Sequence, residues 1–188
     1  MNRDREFVYT HKNITVRKRQ NNDYESFVLG YDKQMPSQRK YDKGHRDMSF
    51  VTRDWYYERL KLWDSLAETD VAYLFGIFKH SDGKMVGYCD LATQNRENYQ
   101  IGVIGYTIFN SHWKNVYAKE AIEAMTDIGF SHLGYRYLEA HIHLDNHASN
   151  HTILSAGFKY EGTREKYSQE EEKWIDHEVY TLYNPKNN

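Results

Sequence analysis

The stretch from Gln100 to Phe158 constrains this chain most, because its hydrophobic spacing passes from strand to helix twice. Gln100 to Phe109 reads as a long strand, and a short loop, Asn110 to Val116, follows. From about Tyr117 a helix begins. Ala118, Ala121, Ile122, Met125 and Ile128 mark its buried face, with Lys119, Glu120, Glu123 and Asp127 outside. Leu138 to Leu144 is strand again, and a short helix runs from about Ala148 to Ala156. Gly157-Phe158 fits a Schellman stop, in which glycine takes the left-handed conformation and the apolar residue folds back.

The flanks complete the pattern. Ile14 to Lys18 alternates like a half-exposed strand, and Asp23 to Tyr31 reads as helix, with Tyr24, Phe27 and Val28 on one face. Gln34 to Ser49 is polar and aperiodic, a long loop of the kind that often carries function. Thr52 is a helix N-cap, followed by Tyr56, Leu60, Trp63 and Ala67 at helical spacing. Val71 to Phe78 and Met85 to Ala92 form a hairpin about Ser81-Asp82-Gly83-Lys84, and Thr93 to Asn98 makes a second polar turn. Closing strands near Lys159 to Tyr167 and Trp174 to Tyr183 flank an acidic turn, Glu170 to Glu172. With two prolines, no evident linker and no internal repeat, residues 1–188 read as one mixed α/β domain (α+β) with a largely antiparallel sheet.

Composition excludes several function classes. A formal charge of -2 lacks the basic excess of a chain built to bind nucleic acid. The one cysteine, Cys89, rules out an intrachain disulfide and a cysteine-cluster zinc site, which suits a cytoplasmic location. It follows the apolar pattern of its strand and reads as a buried small hydrophobe. No apolar run approaches the roughly 18 residues of a membrane helix. Met1 to Arg5 lacks the apolar segment of a secretory signal, and the tail from Asn184 to Asn188 reads as frayed.

Chemistry-bearing residues concentrate in the same central stretch. The first turn of a helix leaves backbone N–H groups unpaired and carries partial positive charge, so the loop before Tyr117 suits an anion, with Lys114 adding a point charge. Farther on, Asn146 and Ser149 are natural turn and cap residues for the short helix. His141 and His143 share one face of a strand with Glu139 beside them. A His-x-His pair can ligate zinc, but no third ligand is visible, and the expectation is no metal.

Ile104-Gly105-Tyr106, Trp113, Tyr117-Ala118, Glu120-Ala121, Glu139-Ala140, Asn146, Ala148-Ser149 and Gly157-Phe158 stand in the order and spacing of the GNAT N-acetyltransferases. Trp174 and Asp176 add a likeness to the RimJ/RimL branch, the ribosomal-protein N-terminal acetyltransferases. The chain resembles that family densely from Tyr73 to Leu182 and thinly before it.

The resemblance implies a GNAT fold of about seven strands and about four helices, with a mostly antiparallel sheet splayed between its fourth and fifth strands. It further implies acetyl-coenzyme A as acyl donor and a primary amine as acceptor: a protein N-terminus, a polyamine or an aminoglycoside. By the same likeness the strand Ile104 to Phe109, including Ile104, Tyr106 and Ile108, offers backbone groups to the pantetheine arm. The pyrophosphate falls to His112, Trp113, Lys114, Asn115, Val116, Tyr117 and Ala118. Asn146 bonds the cofactor, and Ser149 protonates the leaving thiolate. Dimerisation is a family tendency. His143 is the preferred base, its imidazole suited to accept a proton near neutrality. The amine is expected between the first helices and the closing hairpin, with Gln34 to Ser49 and Trp55-Tyr56-Tyr57 as walls and Glu170 to Glu172 as attracting charge.

Two positions depart from the family. Lys114 and Val116 stand where its phosphate turn carries glycines, and a β-branched residue strongly disfavours positive φ. Val103 stands where the Rim branch often has an acid, so any base must lie elsewhere. These departures leave a second reading open: a catalytically degenerate GNAT-fold module that binds an acyl-coenzyme A or a partner protein.

Overall fold

Alternation and capping translate directly into the elements of the computed structural model, which describes residues 7–186. In chain order they are β1 (Val8–Thr10), β2 (Ile14–Lys18), α1 (Tyr24–Asp32), α2 (Arg53–Glu68), β3 (Ala72–Lys79), β4 (Met85–Asn95) and β5 (Ile101–Ile108). Then come α3 (Tyr117–Asp127), β6 (Tyr137–His143), α4 (His147–Ser155), β7 (Lys159–Glu170) and β8 (Lys173–Tyr183). The strands make one eight-stranded sheet, ordered β1-β2-β3-β4-β5-β6-β8-β7. Every pairing is antiparallel except β5 with β6.

The sheet carries a core on each face. On one face Ile104, Leu138, Ala140 and Ile142 pack with Ala121, Ile122 and Met125 of α3 and with Ile153 and Phe158 at α4. On the other, Phe78, Met85 and Phe109 meet Phe27 of α1 and Tyr56 of α2. Thr52 caps α2 as its sequence position predicts, its Oγ1 accepting the Trp55 N–H at 3.1 Å. Gly157 (φ +93°) closes α4 with both Schellman bonds, Gly157 N–H to Leu154 O and Phe158 N–H to Ile153 O.

Several expectations need correction. The sheet has an additional edge strand, β1, whose three residues are too short to show a period. β4 extends to Asn95, so the polar turn begins later than Thr93. Glu120, expected outside, is 4% exposed, because it accepts the Asn13 backbone N–H at 3.1 Å and the Asn13 Nδ2–H at 2.6 Å. Asn184 is buried rather than frayed, donating to Arg136 O at 2.8 Å and Tyr135 O at 3.3 Å. Met1 to Arg5 lie outside the described residues. Cys89 is buried, and burial pushes its thiol pKa up. No helix among the described residues is long and apolar enough to cross a membrane.

Candidate active site

The parallel pairing of β5 with β6 lasts three residue pairs, Ile101–Tyr137, Gly102–Leu138 and Val103–Glu139, and then stops. Beyond that vertex β5 continues to Ile108 against β4, and β6 continues to His143 against β8. Two strand edges therefore diverge, each with backbone donors and acceptors turned toward a wedge instead of a neighbour. The side chains of Ile104, Tyr106 and Ile108 belong to the core on the α3 side, so what these residues offer the wedge is main chain.

The mouth of the wedge is closed by the turn before α3. Val116 is the N-cap residue, and no side chain caps the helix, which leaves its first-turn donors for solvent or an anion. The glycine-free turn is accommodated unevenly. Lys114 takes the left-handed conformation (φ +63°), while Val116 is helical at φ −77° and needs no glycine. Asn115 braces the turn by donating to His112 O at 3.0 Å, and Trp113 Nε1–H donates to Ile108 O at 2.8 Å. Burial, with Lys79 nearby, lowers the His112 pKa, so its imidazole is neutral at pH 7 and adds no full positive charge.

Across the wedge, Asn146 caps α4 by accepting the Ser149 N–H at 3.4 Å. The Tyr106 hydroxyl reaches the Ser149 carbonyl at 3.4 Å, linking the β5 side of the wedge to α4. Burial raises the Tyr106 pKa against the pull of its hydrogen-bond neighbours Ser149 and Thr152, keeping the phenol protonated.

Strand alternation sends Glu139, His141 and His143 to the face opposite α3, as their spacing predicts. The three are not equivalent. Glu139 sits at the vertex, and its Oε2 lies 2.6 Å from His141 Nε2, both side chains 6% exposed. That hydrogen bond, with Arg164 adding to it, holds the Glu139 carboxyl below the usual carboxylate range despite burial. His143 lies farther toward the mouth, with Nε2 2.8 Å from Glu170 Oε1 and its ring 4.5 Å from Tyr41. On the same face Asp90 stands opposite Gly105, where an added Cβ would meet its Oδ1 at 2.7 Å. Burial raises the Asp90 pKa, and Arg19 opposes the rise without cancelling it.

The long loop, residues 34–49, bridges the two diverging strand ends. Buried Asn110, just past β5, accepts the Met35 N–H at 2.8 Å and donates to Met35 O at 2.8 Å and Asp42 Oδ2 at 3.0 Å. At the far end Lys40 and Tyr41 bond Asp145, just past β6. The loop therefore spans the gap between the two strand ends. Of the other expected wall, Tyr56 is 1% exposed in the second core, and only Trp55 and Tyr57 of that trio reach solvent. Sequence reading missed Asn110, Tyr41 and His177, since nothing local marks a residue whose partners lie tens of positions away.

Comparison with known proteins agrees with this geometry. The acetyltransferase (GNAT) domain family matches residues 13–159. YoaA of Bacillus subtilis, named an uncharacterized N-acetyltransferase, is 35% identical over 101 residues, 54% of this chain and 55% of its own length. YjcK of the same organism, named a probable N-acetyltransferase, is 30% identical over 143 residues, 73% of this chain and 79% of its own. Mycobacterium smegmatis RimJ, solved in complex with CoA-disulfide, superposes with a TM-score of 0.76 at 17% identity, covering 96% of this chain and 88% of that one. An eight-stranded sheet wedged open beside an uncapped helix start, and a family match across most of its length, make this chain a member of the GNAT acetyltransferase family.

Proposed function

We propose that the protein transfers an acetyl group from acetyl-coenzyme A to a primary amine, with a protein N-terminus as the leading acceptor class. The observation that carries this reading is the wedge between β5 and β6, open from Ile104 and Ala140 outward, with the start of α3 at its mouth. A pantetheine arm fits two facing edges of unpaired backbone, and a pyrophosphate fits the turn from His112 to Ala118. Lys114 supplies charge there while holding a left-handed backbone conformation that favours glycine.

An arm whose phosphates lie at the mouth puts its thioester near the vertex, and this moves the base role from His143 to His141. Glu139 holds the Nε2 side of the His141 ring, leaving Nδ1 to take a proton from the incoming ammonium; the carboxylate then stabilises the imidazolium. The neutral amine attacks the thioester carbonyl, the C–S bond breaks, and the hydroxyl of Ser149, whose carbonyl the buried Tyr106 phenol bonds, protonates the thiolate; the proton shed by the acylated nitrogen restores that hydroxyl. Val103 needs no carboxylate if this dyad serves. Asn146 keeps α4 and Ser149 in place, and Asp90 adds negative character on the side from which an amine approaches.

Calorimetric titration with acetyl-coenzyme A, followed by acetylation assays on basic peptide N-termini, polyamines and aminoglycosides, tests the reading. Saturable binding and turnover are expected. His141→Asn should lower kcat about 100-fold with little change in cofactor affinity, and Ser149→Ala about tenfold. Binding without turnover on any amine would make the chain an acyl-coenzyme A-binding module instead, and no binding would remove both readings. Turnover undiminished in His141→Asn would return the base role to another group.

A further inference from the structure

We propose that His143, His177 and Glu170 form a binding site for a divalent transition-metal ion of the zinc type, on the sheet face that carries the closing hairpin. One ligand atom from each of the three lies within 4.8 Å of the others. The pair that the sequence offers a metal, His141 with His143, is not what the fold assembles, because Glu139 engages His141 Nε2 at 2.6 Å.

The cluster is built by the sheet. His143 on β6 and His177 on β8 stand directly opposite in register, with ring centroids 4.4 Å apart. Glu170 belongs to β7, which β8 separates from β6. In a flat sheet two strand spacings, about 9–10 Å, would keep it away. The register of β7 against β8 shifts between Arg164 and Ser168, where Lys166 adopts φ +50° and its N–H donates to Asp176 Oδ1 at 2.8 Å. A bulge of this kind bends and twists its strand. The bent hairpin brings Glu170 Oε1 to 2.8 Å from His143 Nε2.

A simple ion pair accounts for His143 and Glu170 but not for His177. That imidazole is 7% exposed, and its Nδ1 is buried without a hydrogen-bond partner. Its Nε2 lies 2.9 Å from Ser168 Oγ, so a hydroxyl stands at the edge of the cluster. Two imidazoles and a carboxylate are a recurrent zinc donor set that leaves one position open. Nitrogen donors favour zinc, copper or nickel over magnesium and calcium, which take oxygen ligands. Tyr41 packs on the His143 ring, and Tyr167 meets the His177 ring edge-on at 5.4 Å, a shell that fixes both rings. A bound ion would pin the hairpin to β6 beside Tyr41 of the wedge-bridging loop.

The inference is independent of acyl transfer, and so is its test. Chelator-treated protein is titrated with Zn2+ by calorimetry and with Co2+ by visible absorption. One ion per chain at micromolar affinity or tighter is expected, with a ligand-field spectrum and no competition from Mg2+. Glu170→Gln and His143→Ala should each weaken binding at least about tenfold, while His80→Ala, at the far side of the sheet, should not. Because His177 is buried, His177→Ala is scored only after circular dichroism shows a native fold; the exposed Glu170 keeps the test decisive. Absence of binding, or binding that survives both Glu170→Gln and His143→Ala, overturns the proposal.

Discussion

Asp90 shows how a single side chain is tuned by what surrounds it. Its carboxyl is held above the ordinary value by burial, and the nearby Arg19 guanidinium only partly offsets that. A group with a raised folded pKa contributes stability fully below its unfolded pKa, about 3.9 for Asp, and loses it as pH rises through the folded value. Asp90→Asn mimics the protonated form. It should melt higher than the parent at pH 7, with the gap closing below about pH 4. A melting difference independent of pH would show that ionisation at Asp90 has no part in it. Lys114 makes a related point, because its positive φ appears only once the turn is folded, whereas its charge is plain in the sequence.

At the scale of elements, α4 is set by its ends. Asn146 caps the start, and Gly157 closes the other end at φ +93°. An added Cβ at Gly157 would meet nothing within 4 Å, so Gly157→Ala isolates the backbone term. It should cost about 1–2 kcal/mol, read as a lowered urea midpoint with an unchanged m-value. A neutral result would mean that α4 can end another way. α4 was legible because both signals are local: a cap residue before a helical run and a Gly-Phe stop after it. The β7–β8 bulge left no comparable mark. Charged Arg164-Glu165-Lys166 reads as ordinary exposed strand, and only pairing with β8 reveals the shift.

For the molecule as a whole, Glu120 ties the start of α3 to the β1–β2 turn 107 positions earlier. It also places a negative charge in the first turn of α3, where the helix dipole favours it. Glu120→Ala leaves two donors of Asn13 without their acceptor and should destabilise by about 1–3 kcal/mol, with Glu120→Gln milder. Chemical denaturation of the three proteins measures this, and equal stability for all three would show that solvent replaces the carboxylate. Helical spacing put Glu120 outside because its neighbours Lys119 and Glu123 are polar. A wheel drawn on α3 alone has no knowledge of Asn13.

Short-range chemistry writes α1 to α4 with the caps at Thr52, Asn146 and Gly157, the alternating strands, the Asp82-Gly83 hairpin, and the face shared by Glu139, His141 and His143, all readable from residue order. Which of those three residues stands at the vertex of the wedge was fixed by the folded sheet. It also decided that Asn110 anchors the loop across the mouth and that Glu170 and His177 meet His143. The physical reason is range. Periodicity and capping depend on neighbours a few residues apart, whereas the wedge, the buried dyad and the histidine–carboxylate cluster arise from register between strands far apart in the chain.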